Sequence, residues 1–304
     1  QYGGDWGPVD EGAAVTAIKR AWDAGINFFD TAQAYGFGRA EGIVGRALAD
    51  ELAHNREGVV LATKGGLRMA GERLVRDSSP EWLRRGVESS LEALRTDHID
   101  LYQVHWPDPA TPLVETAEAL RELRDEGLIG HVGVSNYSVD QIAEFSRALA
   151  VETVQPPYHL FRRDIEADLL PYAQDHDTGV LVYGPLAHGL LGGTMTAATT
   201  FPDDDWRSHH PAFTGAGFRA NLAAVDALAL MAARRGATAG QLALAWVLGH
   251  PAVQVAIVGS RHPDHLAESI GALDLRLDDA DRAEIERIMA TAQPIGGPAP
   301  EAMT

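Results

Sequence analysis

Residues 25–36 read Gly-Ile-Asn-Phe-Phe-Asp-Thr-Ala-Gln-Ala-Tyr-Gly, and the fold turns on how this stretch is read. Ile26, Asn27, Phe28 and Phe29 follow a glycine stop as an extended, mostly apolar run. That pattern predicts a buried strand ending at Asp30 and Thr31. An acid at a strand end, with Tyr35 in a short glycine-bounded loop after it, offers a carboxylate and a phenol to one space if the strand lies in a parallel sheet. Two later runs end in the same way. Val59 to Ala62 leads into Thr63 and Lys64, and Ile99 to Val104 leads into His105. Three successive strand ends therefore offer Asp and Tyr, then Lys, then His, an order of polar groups that packing alone does not explain.

Outward from that stretch the chain alternates strand and helix. Glu11 to Ala24 places Val15, Ile18, Ala21 and Trp22 at helical spacing before the Gly25 stop. A second helix is predicted over Glu41 to Leu52. Ser79-Pro80-Glu81 supplies an N-cap, a proline at the first helical position and an early acid. Trp82, Leu83, Val87, Leu91 and Leu94 then mark one buried face. Thr111-Pro112 starts another helix by the same device, and Gly127 ends it. Further strands are predicted at Gly130 to Val134, Thr153 to Gln155, Val180 to Tyr183 and Val253 to Val258. Such alternation implies parallel strands joined by right-handed crossovers, and at this length the expected α/β architecture is a closed (β/α)8 TIM barrel forming a single domain over 1–304. Seven strands are counted. The connection from Gly192 to about Phe218, with Phe201, Trp206 and Phe213, is longer than a barrel loop needs and reads as a lid or a disordered segment, while Gln293 to Thr304 reads as an irregular tail.

Composition narrows the partners. The chain has 304 residues, 45% of them hydrophobic, with 25 Lys and Arg against 43 Asp and Glu, a net charge of −18. That balance opposes docking on nucleic acid or anionic lipid. The absence of cysteine removes disulfides and thiolate ligands and fits a reducing compartment, so the expected location is cytoplasmic. No apolar run is read as long enough to span a bilayer. No metal site is expected, because His105 has no histidine two residues away, and His209 with His210 and His262 with His265 are isolated pairs.

The stretches quoted above, with Leu-Ala-Thr-Lys-Gly, Leu-Tyr-Gln-Val-His-Trp, Gly-Val-Ser-Asn-Tyr and Tyr-Gly-Pro-Leu-Ala-His-Gly-Leu-Leu-Gly, resemble the aldo-keto reductase family over roughly residues 11 to 290. The family's four catalytic positions fall on Asp30, Tyr35, Lys64 and His105 without substitution. The resemblance implies reduction of a small aldehyde or ketone by NADPH, with NADP+ as the oxidised product. It also implies a first barrel strand ahead of Tyr2 to Gly7, which this chain lacks, so residues ahead of Gln1 are expected in the natural gene. Oligomeric state is left open.

Tyr35 is the candidate proton donor. A free phenol titrates at about 10, and a neighbouring cation brings that value down. Lys64 is that cation, Asp30 would hold its ammonium, and His105 would donate a hydrogen bond to the substrate oxygen. Lys64 has a rival reading as a Schiff-base amine of a lyase. Gly36-Phe37-Gly38 lacks the third glycine of a dinucleotide fingerprint, so no Rossmann unit is indicated.

The resemblance places the nicotinamide carboxamide on Ser135, Asn136 and Gln155, with Tyr183 stacked on the ring. Gly184, Pro185, Leu186, Gly189 and Leu190 would follow the pyrophosphate. Read without it, Ser135 and Asn136 are equally a helix N-cap and Tyr183 a core aromatic. Gly259, Ser260, Arg261, His265, Glu268 and Ser269 resemble the adenosine-phosphate site, departing at His265 and Ser269, where the family often has Gln and Asn. Arg261 would meet a 2′-phosphate. Trp6, Phe37, Trp106 and Tyr158 are candidate walls of the substrate pocket. Because the family includes potassium-channel beta subunits, a regulator that binds NADPH without sustained turnover is the alternative.

Overall fold

Short apolar runs, each closed by a glycine or a polar turn, become parallel strands because neighbouring backbones satisfy the hydrogen bonds that burial takes from water. The computed structural model describes residues 10–259 and 263–297, leaving out the side chains of 263–265. Its strands are β1 (Phe28–Asp30), β2 (Val60–Gly65), β3 (Leu67–Ala70), β4 (Arg73–Arg76), β5 (Ile99–Val104), β6 (Ile129–Ser135), β7 (Thr153–Gln155), β8 (Gly179–Tyr183) and β9 (Val253–Ile257). Seven of these pair in parallel in the order β1-β2-β5-β6-β7-β8-β9, a nearly closed TIM-type barrel sheet. They are the seven strands expected from the sequence. The antiparallel hairpin β3–β4 was not expected; its strands are four residues each, joined through Gly71 at φ 66°, too short to separate from a loop by pattern.

Side chains alternate across each strand, so every strand feeds two cores. Ala62, Leu101 and Leu181, packed with Phe28, Val255 and Ile257, fill the barrel interior. The opposite faces, with Leu61, Tyr102, Val104 and Val154 among them, pack against the helices in a larger apolar layer. Each fully buried leucine or isoleucine there contributes about 1.5 to 3 kcal/mol.

Local signals set the helix ends. The Asp10 side chain accepts from Gly12 N and Ala13 N to start Glu11–Asp23. Ser79 caps Pro80–Leu94, with the proline at the first turn and Arg95 in the left-handed conformation after the end. Ser138 and Gln141 form a reciprocal capping box on Val139–Phe145. The helix read over Glu41 to Leu52 is two, Arg39–Ala47 and Ala49–His54, broken at Leu48, whose φ of −102° and ψ of 18° leave the helical region.

The long connection folds into short turns at Trp206–Ser208 and Pro211–Phe213 before the helix Gly215–Ala233. At 19 residues this helix is long and apolar enough to cross a bilayer by length and composition, which corrects the sequence reading. It is placed as a wall helix of the barrel. Phe218, Val225, Leu228 and Met231 are buried in the outer core, and the buried Asn221 donates to Ala212 O and Gln293 O.

Candidate active site

Parallel pairing brings the C-terminal ends of β1, β2 and β5 to one rim. Register sets Asp30 beside Ala62 and Lys64 beside Gln103, all on strands whose inward residues alternate with outward ones. Lys64 has 1% of its side chain exposed and Asp30 has 7%, so neither charge can rely on water. They meet instead, Lys64 Nζ donating to Asp30 Oδ1 at 2.5 Å and to Thr31 O at 2.9 Å. The second carboxylate oxygen accepts from Gln155 Nε2 at 2.9 Å and, more weakly, from Gln103 Nε2 at 3.4 Å. A buried ion pair persists when its remaining lone pairs and protons are satisfied in this way.

Above the pair lie the two rings. Lys64 Nζ is 5.4 Å from the Tyr35 ring centroid. The Tyr35 and His105 rings meet edge to face, 5.6 Å between centroids and 79° between planes. His105 is buried, and burial, helped by the Lys64 charge, pushes its pKa well below 6.5. The imidazole is therefore neutral at ordinary pH, with one ring N–H to give. Its Nδ1 has no hydrogen-bond partner among the described residues.

The neighbouring strand ends supply amides. Asn136, at φ 63°, donates from Nδ2 to His105 O at 3.1 Å and to Ser135 Oγ at 3.0 Å, and Tyr183 Oη donates to Asn136 Oδ1 at 2.9 Å. Ser135 Oγ donates to Gln155 O at 2.9 Å. Ser135, Asn136, Gln155 and Tyr183 thus form one connected group beside the tetrad. With Gln155 Nε2 turned to Asp30, its amide oxygen is the end left for a ligand amide. After β8 the backbone enters positive φ at Gly184, Ala187, His188 and Gly189, and a Cβ built on Gly184 meets nothing within 4 Å. That open edge leaves room for a ligand to come close to the backbone at Gly184. Pro185 and Leu190 are buried, so neither offers its side chain to such a ligand.

The remaining sequence candidates divide. Trp106 is buried beside Leu67, Leu74, Ala34 and Tyr183, and it also lines a cleft of about 340 Å³ with Asn136, Tyr137, Pro156, Pro157 and Arg162. Phe37 is exposed at the rim. Tyr158 does not take the expected place. Its ring is fully buried against Trp246, 5.1 Å between centroids, and its hydroxyl donates to Glu166 at 2.6 Å, so it belongs to the outer core. Glu268 accepts from Thr238 Oγ1 at 2.7 Å in a surface contact. Trp6, Ser260, Arg261 and the His265 side chain lie outside the described residues.

Sequence reading missed Gln103 and the groups behind Lys64. Gln103 was hidden inside an apolar run, and its parity with Leu101, two residues earlier, was the available signal. On the outward face Glu41 is fully buried and accepts from Thr63 Oγ1 at 2.6 Å. Burial raises its pKa, against the lowering effects of Thr63, Ser90 and the Lys64 charge.

A barrel with a Lys–Asp pair, a tyrosine and a neutral histidine at one rim defines a class of carbonyl-handling oxidoreductases. The comparisons agree: the model of the aldo/keto reductase family matches residues 1–290, and the chain belongs to that family. It is 42% identical to aldo-keto reductase YhdN of Bacillus subtilis (strain 168), over 96% of this chain and 88% of that one. It is 34% identical to the NADH-specific methylglyoxal reductase of Escherichia coli (strain K12), over 94% and 90%. Among solved structures it resembles the glycerol dehydrogenase AKR11B4 from Gluconobacter oxydans, TM-score 0.89, 41% identity, 97% and 90% covered. It also resembles an aldo/keto reductase from Klebsiella pneumoniae in complex with NADP and acetate, TM-score 0.71, 31% identity, 95% and 88% covered.

Proposed function

We propose that this chain reduces a small aldehyde or ketone to the alcohol with NADPH, Tyr35 giving the proton. The observation that carries the reading is the meeting of Asp30, Tyr35, Lys64 and His105 at one barrel rim, around a buried ion pair of 2.5 Å. The nicotinamide supplies hydride when bound, and Ser135, Asn136, Gln155 and Tyr183 are the residues that would hold it. Tyr35 Oη delivers a proton to the carbonyl oxygen as charge builds there, favoured by the fixed Lys64 cation. His105, neutral, donates a hydrogen bond to the same oxygen and sets its direction. Asp30 keeps Lys64 in place and offsets its charge in a site with little water.

A relative at 34% identity is NADH-specific, whereas a structural neighbour was solved with NADP. The NADPH preference therefore rests on Arg261 in this chain. The Asp30 carboxylate buried against Lys64 Nζ favours the charged ammonium over a nucleophilic amine, which disfavours the lyase. Loss of reduced-nicotinamide absorbance over a panel of small aldehydes, ketones and sugars tests the proposal. Multiple turnovers support it; tight NADPH binding with at most one turnover would point to a regulator.

A further inference from the structure

The hairpin β3–β4 brings to the rim a cation that the tetrad does not use. Arg76, the last residue of β4, holds its guanidinium carbon 5.1 Å from the Trp106 ring centroid and donates from Nη1 to Pro107 O at 3.2 Å. It pairs across the hairpin with Leu67, and Trp82 Nε1 donates to Leu67 O at 3.1 Å, tying the hairpin to the barrel wall. Leu67 and Leu74 share an apolar cluster with Trp106, Ala34 and Tyr183. Four of its five members are near site residues along the chain or bond to one. Ala34 precedes Tyr35, Trp106 follows His105, Leu67 lies just past Lys64 in sequence, and Tyr183 bonds Asn136. Arg76 thus stands against Trp106, the residue after His105, which itself lines the cleft shared with Asn136.

Its charge is also uncommitted. The chain carries 43 Asp and Glu against 25 Lys and Arg, and other arginines have found carboxylates: Arg68 of the same hairpin pairs with Asp77 at 2.6 Å, and Arg207 elsewhere with Asp205 at 2.6 Å. Arg76 has no ion pair among the described residues, and its carbonyl contact uses one of five N–H donors. A half-buried guanidinium set over an aromatic ring, with one donor committed, has donors left for a planar or tetrahedral anion. Resting on the reductase reading, we propose that Arg76 selects substrates that carry an anionic group, carboxylate or phosphate, at the end away from the carbonyl.

The test compares matched substrates. With saturating NADPH, kcat/KM is measured for succinic semialdehyde against butanal and for glyceraldehyde phosphate against glyceraldehyde, in the wild type, Arg76→Met and Arg76→Lys. A charge-assisted contact predicts a wild-type preference for the charged member of at least one pair, roughly tenfold to a hundredfold and expressed in KM. Arg76→Met removes that preference. Arg76→Lys keeps part of it, having charge without the planar fork. The responding pair identifies carboxylate or phosphate. Equal preference in the wild type overturns the proposal, and so does an equal loss on both members of each pair, which would make Arg76 a prop for Trp106. If no aldehyde turns over, the reductase reading fails. Calorimetric titration of the NADP+-loaded protein with the hydroxy acid and the plain alcohol products then decides Arg76 separately, by whether the acid binds tighter and Arg76→Met abolishes the difference.

Discussion

On the inner face of β2 and β5, Lys64 stands opposite Gln103; one residue earlier, on the outer face of the same strands, Thr63 stands opposite Tyr102. Both rows are buried and both are polar, but they are satisfied to different degrees. Inside, Asp30 accepts from Lys64, Gln103 and Gln155, and the strongest charge is matched by its opposite. Outside, Glu41 accepts from Thr63 and is also favoured as an anion by the Ser90 hydroxyl, while Tyr102 Oη and Gln33 Oε1 have no hydrogen-bond partner among the described residues. Unmatched polar atoms cost stability, and proteins keep them where packing or function demands. The inner row is thus held by electrostatic pairing, the outer row by shape.

Tyr35→Phe tests the inner row most sharply. It deletes one hydroxyl and leaves the Lys64–Asp30 pair, so multiple-turnover reduction should fall by roughly two to four orders of magnitude with NADPH affinity nearly unchanged. Steady-state rates with a cofactor titration check this, and near wild-type turnover would remove Tyr35 from the proton-donor role. Lys64→Met goes further, leaving the Asp30 carboxylate buried without its cation, a change of about 3 to 5 kcal/mol in stability. Asp30→Asn in the same chain should return part of the melting temperature and none of the activity. Recovery of neither would mean that the pair matters only through packing.

The outer row answers to volume. A Cβ on Gly65 would collide with Tyr102 Oη, and one on Gly86 would lie 2.9 Å from it. Gly65→Ala should therefore cost about 1 to 3 kcal/mol by overpacking. Tyr102→Phe alone, removing an unpartnered hydroxyl, should be neutral or stabilising, and in the double variant it should restore part of the loss, since the ring carbon Cζ would still lie 2.8 Å from the new Cβ. Denaturant midpoints for the four proteins form the cycle. A clear loss from Tyr102→Phe alone would show that the hydroxyl has a partner and that the outer row is satisfied after all.

Much of the inner row was legible because strand ends are positions where Asp, Tyr, Lys and His have no packing reason to recur. The seven parallel strands were legible for a related reason, since apolar runs bounded by glycine leave few alternatives. Gln103, Glu41 and Ser90 were not. Each sits inside a segment whose apolar neighbours dominate the pattern, and only the pairing of β2 with β5 and the packing of two helices behind them bring these groups together. Tyr158 failed for the opposite reason: an aromatic near a strand end fits a pocket wall or the outer core equally in sequence, and the Glu166 carboxylate that holds its hydroxyl is eight residues away. The β3–β4 hairpin, and with it Arg76, lay below the length at which alternation can be read.

The smallest expected effect separates the rows by pH. Glu41 has its pKa raised from 4.5 by burial, so the folded protein holds that proton more tightly than the unfolded chain does. Its contribution to stability is full below about pH 4.5 and is lost as pH rises through the raised value. His105 has the opposite sign: its pKa is pushed below 6.5, so stability falls as pH drops below that value, and His188, lowered to about 4 mainly by burial, adds to the same acid-side loss. Glu41→Gln keeps the shape of the side chain and cannot ionise. Its melting temperature minus that of the wild type should therefore climb as pH rises above about 4.5, while the histidine contribution, common to both proteins, cancels in the difference. In a Lys64→Met background the climb should start at the same pH and continue to higher pH, because the Lys64 charge is one of the influences holding the folded Glu41 pKa down. A flat difference curve would mean that Glu41 titrates as it does in the unfolded chain, and the two rows would then differ in charge but not in how completely burial is compensated.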